Sequence, residues 1–407
     1  GSYMLKTQGK RLREHMEELG KIGAAPEGGV NRFTYSKEYY ESVELVRRYM
    51  EDAGLETEVD PVGNVIGTCR GDTDRILLLG SHIDSVPNAG IFDGCLGVLA
   101  AVEAVKTLQE HDIQLQHTVK VAAWAEEEGN TVVGLLGSGA FVGHMDDLTD
   151  IAVSKMEQFG ITRENVRAAY FPDLNKIDAS LELHIEQGGI LDQEQIQIGV
   201  VNGIVGIERY TVTIQGTKNH AGTTPMYLRD DAMTKAANLI VELEQLAREI
   251  DRDMVCTVGW LNASPGVANV IPGQIEMSVE VRSMNSDSMD RLKQYIQTRF
   301  PAGVCALKTT FQQVPVPMSD ICKRAISKAA ENLGLSQRTL NSGAGHDTMI
   351  LAECIPNCGM IFVPSVGGVS HCPQEWTEWE DANNGASVLL GALLELDDKD
   401  STEFESR

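Results

Sequence analysis

Residues 75–94 read RILLLGSHIDSVPNAGIFDG. Ile76–Leu79 is a short unbroken apolar run, the pattern of a strand buried on both faces in a parallel sheet. Directly after it come His82, Asp84 and Asp93, three side chains that a dry core does not accommodate without partners. In an open α/β sheet, ligands bind outside the carboxyl ends of the strands, so a strand that ends in such residues points to a site at that edge.

The rest of the first half repeats the pattern. Residues 36–53 predict an amphipathic helix with Tyr39, Val43, Val46 and Met50 on one stripe. Short apolar runs recur at Val65-Ile66, Val119–Trp124 and Leu181–Ile185, and Leu96, Leu99, Val102 and Val105 keep helical spacing between two of them. This alternation is that of an α/β sheet. Glu126, Glu127 and Glu128 follow the run 119–124, His184 closes the run 181–185, and His371 lies in the loop after an apolar run at 359–363. Asp93 stands just before the helix that begins near Cys95.

Singly, each of these residues has a plain alternative. A histidine after a strand is commonly a hydrogen-bonded loop residue, Asp-Gly before a helix an N-cap, and three glutamates a solvated face. Independent plain roles would not select the same edge of one sheet. Three histidines and two or three carboxylates suit Zn²⁺ or Mn²⁺ and are too nitrogen-rich for Ca²⁺ or Mg²⁺. If one carboxylate bridges, five ligands suffice for two ions ~3.5–4 Å apart, a centre that activates water near neutral pH.

Near residue 205 the texture changes. Tyr210, Val212 and Ile214 alternate with polar residues, as in a sheet wet on one side. A helix over 230–250 follows, then strands near 254–260 and 274–283, a helix over 287–299 and a strand near 305–312. The order β-α-β-β-α-β is the ferredoxin-like arrangement. Val314-Pro-Val-Pro317 reads as a linker, after which a helix over 319–333, the strand 359–363 and a helix over 381–396 restore the α/β texture. The expected organisation is a mixed-sheet α/β catalytic domain of residues 1–205 and 317–407, with residues 206–316 inserted as a smaller domain. The final stretch, LDDKDSTEFESR, is polar and expected to fray.

The formal net charge of −25 disfavours nucleic acid and anionic lipid, both of which need basic patches. No apolar run approaches a membrane span, and the N-terminal GSYMLKTQGK lacks the apolar core of a signal peptide. The eight scattered cysteines read as reduced thiols of a cytoplasmic protein. Cys354, Cys358, His371 and Cys372 could form a structural zinc site, but the intervening apolar run would separate the two halves.

Several of these stretches together resemble the M20 amidohydrolases: His82-Ile-Asp84, Phe92-Asp93-Gly94, Glu127-Glu128-Gly129, His184-Ile-Glu-Gln187 and Val369-Ser-His371. Asn219-His-Ala-Gly-Thr-Thr-Pro-Met226, Ala268-Asn-Val-Ile-Pro-Gly273 and Ser342-Gly-Ala-Gly-His-Asp347 draw the resemblance towards the branch of allantoate and N-carbamoyl-L-amino-acid hydrolases. The resemblance implies two divalent ions, Zn²⁺ or Mn²⁺, bridged by Asp93, with His82 and His184 on one and Glu128 and His371 on the other. Glu127 would be the general base and Asp84 would orient His82. The peptide after the bridging aspartate is often cis in that family. The inserted domain would be a lid and dimerisation domain, whose His220 stabilises the oxyanion. Asn269 and Arg282 would grip a substrate carboxylate, and Gln187 and His346 would line the pocket.

The implied protein is a cytoplasmic homodimer that cleaves the ureido C–N bond of a small carboxylate, allantoate first and N-carbamoyl-L-amino acids or 3-ureidopropionate next. An M20-type dipeptidase or deacylase, a non-catalytic sensor and a structural zinc protein are the rival readings. One departure stands out: relatives follow Glu-Glu-Gly with a small residue and Arg-Phe, whereas this chain has Gly129-Asn-Thr-Val-Val133. That leaves the shape of this loop open.

Overall fold

The computed structural model describes residues 5–144 and 148–404. The chain divides into two compact units, one that ends at Asn202 and resumes at Met318, and one spanning Gly203–Pro317. These boundaries fall within a few residues of the expected insertion points, at the end of a strand on one side and after the proline-rich segment on the other.

Among the described residues the sheet has nine strands, the short Val316–Pro317 beside β6 and eight others: β1 (Glu56–Val59), β2 (Val65–Cys69), β3 (Ile76–His82), β4 (Thr118–Trp124), β5 (Ile177–Ile185), β6 (Ile198–Ile204), β7 (Gln337–Ser342) and β8 (Cys358–Val363). They run in the order β1-β2-β4-β3-β5-β8-β6, with β7 also on β6. The middle four, β4-β3-β5-β8, are parallel, and the pairs β1–β2, β2–β4 and β8–β6 are antiparallel. The fold is therefore a mixed α/β sheet. Its parallel centre aligns His82 with Trp124 and His184 with Phe362, so the four carboxyl ends lie along one edge.

The core explains why these runs are so apolar. Every residue of β3, β5 and β8 is buried. The helix Cys95–Glu110 is buried over most of its length and packs with the helices Asp320–Asn332 and Trp379–Asp397 against the sheet. Burying side chains of this size contributes roughly 1.5–3 kcal/mol each. Gly94 begins the first of these helices at φ +73, and a Cβ there would lie 2.5 Å from the His82 ring. Only glycine combines that backbone with so close an approach.

In the second unit the strands Gly206–Gln215, Leu261–Ser264, Gln274–Ser283 and Cys305–Gln313 form an antiparallel sheet. Alternate residues of Gln274–Ser283 are buried, and Ile275, Met277, Val279 and Val281 pack with Leu239, Leu243, Leu292 and Ile296 from the helices Ala232–Ile250 and Ser286–Thr298. The single strand expected near 254–260 is instead two, Val255–Thr257 and Leu261–Ser264.

Two expectations need correction. The C-terminal stretch does not fray over its described part: the last long helix continues to Asp397, whose carboxylate accepts hydrogen bonds from the Gln116 and His117 amides. Phe404 is buried beside the His117 ring. Residues 405–407, and Gly1-Ser2 at the other end, lie outside the described residues. The Asp93–Gly94 peptide is trans; among the described residues only Ser264–Pro265 is cis. Cys354 and Cys358 donate to separate carbonyls, those of Val142 and Ile355. None of the eight cysteines forms a disulfide.

Candidate metal centre

The carboxyl edge gathers side chains from four strand ends. His82 closes β3, Glu127 and Glu128 follow β4, His184 lies at the end of β5, and His371 comes from the loop after β8. Asp93 stands between them at the entry to the helix Cys95–Glu110. Its Oδ1 lies 3.3 Å from His82 Nε2 and 3.2 Å from His184 Nε2, while its Oδ2 lies 3.2 Å from His371 Nε2. Glu128 Oε2 is 3.6 Å from the same His371 nitrogen, and Glu127 Oε2 is 2.5 Å from His82 Nε2. Thus the two oxygens of one carboxylate face two different sets of ligands.

The imidazoles are held from behind. His82 Nδ1 donates to the Asp84 carbonyl at 3.0 Å, with the Asp84 carboxylate 3.4 Å away, and His184 Nδ1 donates to the Ile185 carbonyl at 2.8 Å. Each Nε2 is thereby left as a lone-pair donor aimed at Asp93. His82 Nε2, His184 Nε2 and Asp93 Oδ1 are buried with no hydrogen-bond partner. Buried polar atoms without partners are costly, and three converging on one point are what a cation would satisfy.

The charges argue the same way. Burial, reinforced by the neighbouring Glu127 and Asp93, pushes Glu128 up to about 10. Glu127 is lifted to about 7 by burial, against the pull of His82. Burial would also raise Asp93, but His184, His371 and His82 hold it well below the ordinary carboxylate range. Carboxylates crowded in this way, with imidazoles among them, fit divalent cations of the zinc or manganese type.

The remaining expected residues divide into groups. Gln187 Nε2 donates to Asp93 Oδ2 at 3.4 Å and to Ser370 Oγ at 3.1 Å, which places it at the centre itself. His346 is buried, its ring 4.5 Å from that of His184 and its Nε2 2.8 Å from Ser342 Oγ. In the second unit His220 is exposed, and its Nδ1 accepts from the Gly222 and Thr223 amides at 2.9 and 3.2 Å. With Nδ1 accepting, the ring proton falls to Nε2, which is then the donor. A short ladder pairs Val270 with His220, so Asn269 lies beside the His220 loop. Arg282 does not join them: it pairs with Glu280 near the other end of the strand Gln274–Ser283, ~26 Å along at the usual rise per residue.

The departure after Gly129 has a local explanation. Glu126, the first of the three glutamates, is fully buried and accepts from the amides of Thr131, at 2.8 Å, and Val132. Asn130 donates to the Ser85 carbonyl at 3.1 Å and Thr131 to the Thr34 carbonyl at 3.0 Å. The loop is closed by its own side chains, and Glu126 is a structural acid rather than a spare catalytic one. Glu375 is a residue that sequence reading passes over. It lies in a loop without periodicity, yet its carboxylate accepts from the Asp93 amide at 3.0 Å.

The profile of the peptidase family M20/M25/M40 matches residues 78–395. The chain belongs to this family. Among M20 relatives, an N-carbamoyl-L-amino acid amidohydrolase of Geobacillus stearothermophilus is 39% identical, over 96% of this chain and 98% of that one. An allantoate amidohydrolase of Bacillus subtilis is 35% identical, over 95% and 97%. The solved structure of an amidase of the hydantoinase/carbamoylase family from Burkholderia multivorans is 33% identical, with a TM-score of 0.85, and the match covers 96% of this chain and 98% of that one. This M20 chain is thus similar to amidohydrolases over nearly its whole length.

Proposed function

We propose that this chain is a two-cation amidohydrolase that cleaves the ureido C–N bond of a small carboxylate-bearing compound. The observation that carries the reading is the divided Asp93 carboxylate, with His82 and His184 on one oxygen and His371 and Glu128 towards the other, beside Glu127. His82, His184 and Asp93 would hold one ion, and Asp93, Glu128 and His371 the second. Two zinc or manganese ions supply Lewis acidity there and make water a nucleophile near neutral pH.

Glu127 takes the proton of the attacking water and returns it to the leaving nitrogen. The water oxygen bonds to the ureido carbonyl carbon, the C–N bond breaks, and the carbamic acid released falls apart to ammonia and carbon dioxide. His220, a neutral imidazole with its proton on Nε2, donates to the oxyanion; one such donor is commonly worth ~3–4 kcal/mol in the transition state. Gln187 and His346 complete the pocket wall, and Asn269 and Arg282 bind the substrate carboxylate.

A single subunit holds Arg282 near the far end of the strand Gln274–Ser283 and Asn269 in the turn before the short strand Val270–Ile271, so both reach one carboxylate only if two subunits combine. That supports a homodimer formed through residues 206–316, with this ferredoxin-like unit as lid. Eight cysteines, none of them in a disulfide, support a cytoplasmic protein.

Allantoate is the first substrate, on the Gly222-Thr-Thr-Pro225 form of the His220 loop. N-carbamoyl-L-amino acids are the second, favoured by the relative at 39% identity against 35% for the allantoate enzyme. Ammonia release from metal-reconstituted protein, with both compounds, 3-ureidopropionate and a dipeptide side by side, tests the reading. One ureido compound should yield ammonia; cleavage of the dipeptide alone would move the chain to the peptidase reading.

A further inference from the structure

We propose that Glu375 is a positioning residue that sets the affinity of the second cation, the one held by Asp93, Glu128 and His371. The inference rests on the two-cation reading and goes beyond it. Glu375 is buried, and three groups face its carboxylate. The Asp93 amide donates to Oε1 at 3.0 Å; the Ser370 hydroxyl at 2.6 Å and the His371 amide at 3.3 Å donate to Oε2. One side chain therefore fixes the backbone of two residues that would share an ion, although they are far apart in sequence.

The two ligands depend on it unequally. Asp93 has other supports: its carbonyl accepts from the Cys95 amide at 2.8 Å, and Phe92 beside it is buried against Trp376 and Trp379. His371 has few. It sits at φ +58, a left-handed conformation that a non-glycine residue adopts only when its surroundings impose it, and half its side chain is exposed. The Ser370 hydroxyl, while donating to Glu375, accepts from Gln187 Nε2, so the turn that presents His371 is tied at both residues to the same carboxylate. Gly90 makes room for this: a Cβ there would lie 2.7 Å from Glu375 Cβ and 2.8 Å from its Oε1.

All three groups facing Glu375 are donors, so only an acceptor on both oxygens satisfies them. In Glu375→Gln the amide NH₂ meets an N–H whichever way it turns. If it keeps the Asp93 bond, it opposes the His371 amide. Partners of metal ligands commonly contribute 10–100-fold to affinity.

The test is stepwise titration of the metal-free protein with Zn²⁺ against a chromophoric chelator, for the wild type, Glu375→Gln and Gly90→Ala. Melting of the metal-free proteins identifies the variants that fold. Gly90 has an ordinary backbone conformation, so Gly90→Ala displaces the carboxylate without removing it and carries the test if Glu375→Gln does not fold. The expected result is two ions in the wild type, and in the variants a first ion within about three-fold of the wild-type affinity but a second bound at least ~10-fold more weakly. Wild-type affinities for both ions in either folded variant, or equal weakening of both ions, would overturn the proposal. A wild type that takes fewer than two ions would fail the two-cation reading itself, and the role of Glu375 with it.

Discussion

Asp84 accepts the backbone amide of Glu127 on Oδ1 at 3.2 Å, and that of Glu128 on Oδ2 at 3.1 Å. The residue expected to orient His82 thus holds the loop that bears the proposed general base and a proposed metal ligand. Its own carbonyl, rather than the carboxylate, takes the shorter contact with His82. Strand β3 and the turn after β4 are locked together by one buried side chain.

Asp84→Asn should therefore weaken both metal binding and turnover. The amide can accept from only one of the two N–H groups, and the other is left facing a donor. The expected loss of metal affinity is ~10–100-fold, read by chelator competition. Wild-type affinity and turnover would show that the Glu127–Glu128 loop holds its shape without Asp84.

Glu127→Gln should separate binding from chemistry. It keeps the size of the side chain and leaves His82, Asp93, Glu128, His184 and His371 intact, so the metal content should match that of the wild type. Turnover should fall by at least ~10²–10⁴-fold, the usual contribution of a general base. Parallel metal analysis and initial rates check both halves, and normal turnover would remove Glu127 from the mechanism.

His220→Ala should fold normally, since the residue is exposed and its contacts are confined to its own loop. The lost Nε2–H donor should lower kcat by ~10²–10³-fold. Circular dichroism and steady-state kinetics decide; an unchanged kcat would show that oxyanion stabilisation comes from elsewhere.

Far from the centre, His117 gives the fold a pH dependence. Burial pulls its pKa down, but hydrogen bonds to Asp178 at 2.8 Å and Asp397 at 2.9 Å outweigh this and raise it from 6.5 to about 9. Because the folded value is the higher one, the stabilisation is complete below about pH 6.5 and is lost as the pH rises through about 9. His117→Gln should cost roughly 1.5–3 kcal/mol in urea unfolding at pH 6 and much less at pH 10. An equal cost at both pH values would contradict the charged form.

The parallel centre of the sheet is legible because its strands are buried on both faces and so read as unbroken apolar runs. Strand β6 is not: Asn202, Gly199 and Gly203 interrupt it, and pairing with β8, β7 and Val316–Pro317 makes it a strand. The proposed metal ligands stand out in the sequence because the parallel strands bring their carboxyl ends to one edge, whatever the loops between them do. Glu126, Glu127 and Glu128 cannot be told apart by type. Their separate roles come from a left-handed turn at Glu126 that sends its side chain into the loop and the next two towards the histidines. Phe404 packs from a stretch too polar to suggest a core residue, because one aromatic ring is enough to hold a tail that Asp397 already ties down. Glu375 carries no signal of its own, since its partners are backbone amides.

The most direct test of the account is a crystal structure of metal-reconstituted protein, with diffraction recorded on both sides of the metal absorption edge. The account expects two anomalous peaks flanking Asp93, one in contact with His82 and His184 and the other with Glu128 and His371. A single peak, or a second ion away from Glu128 and His371, would contradict it.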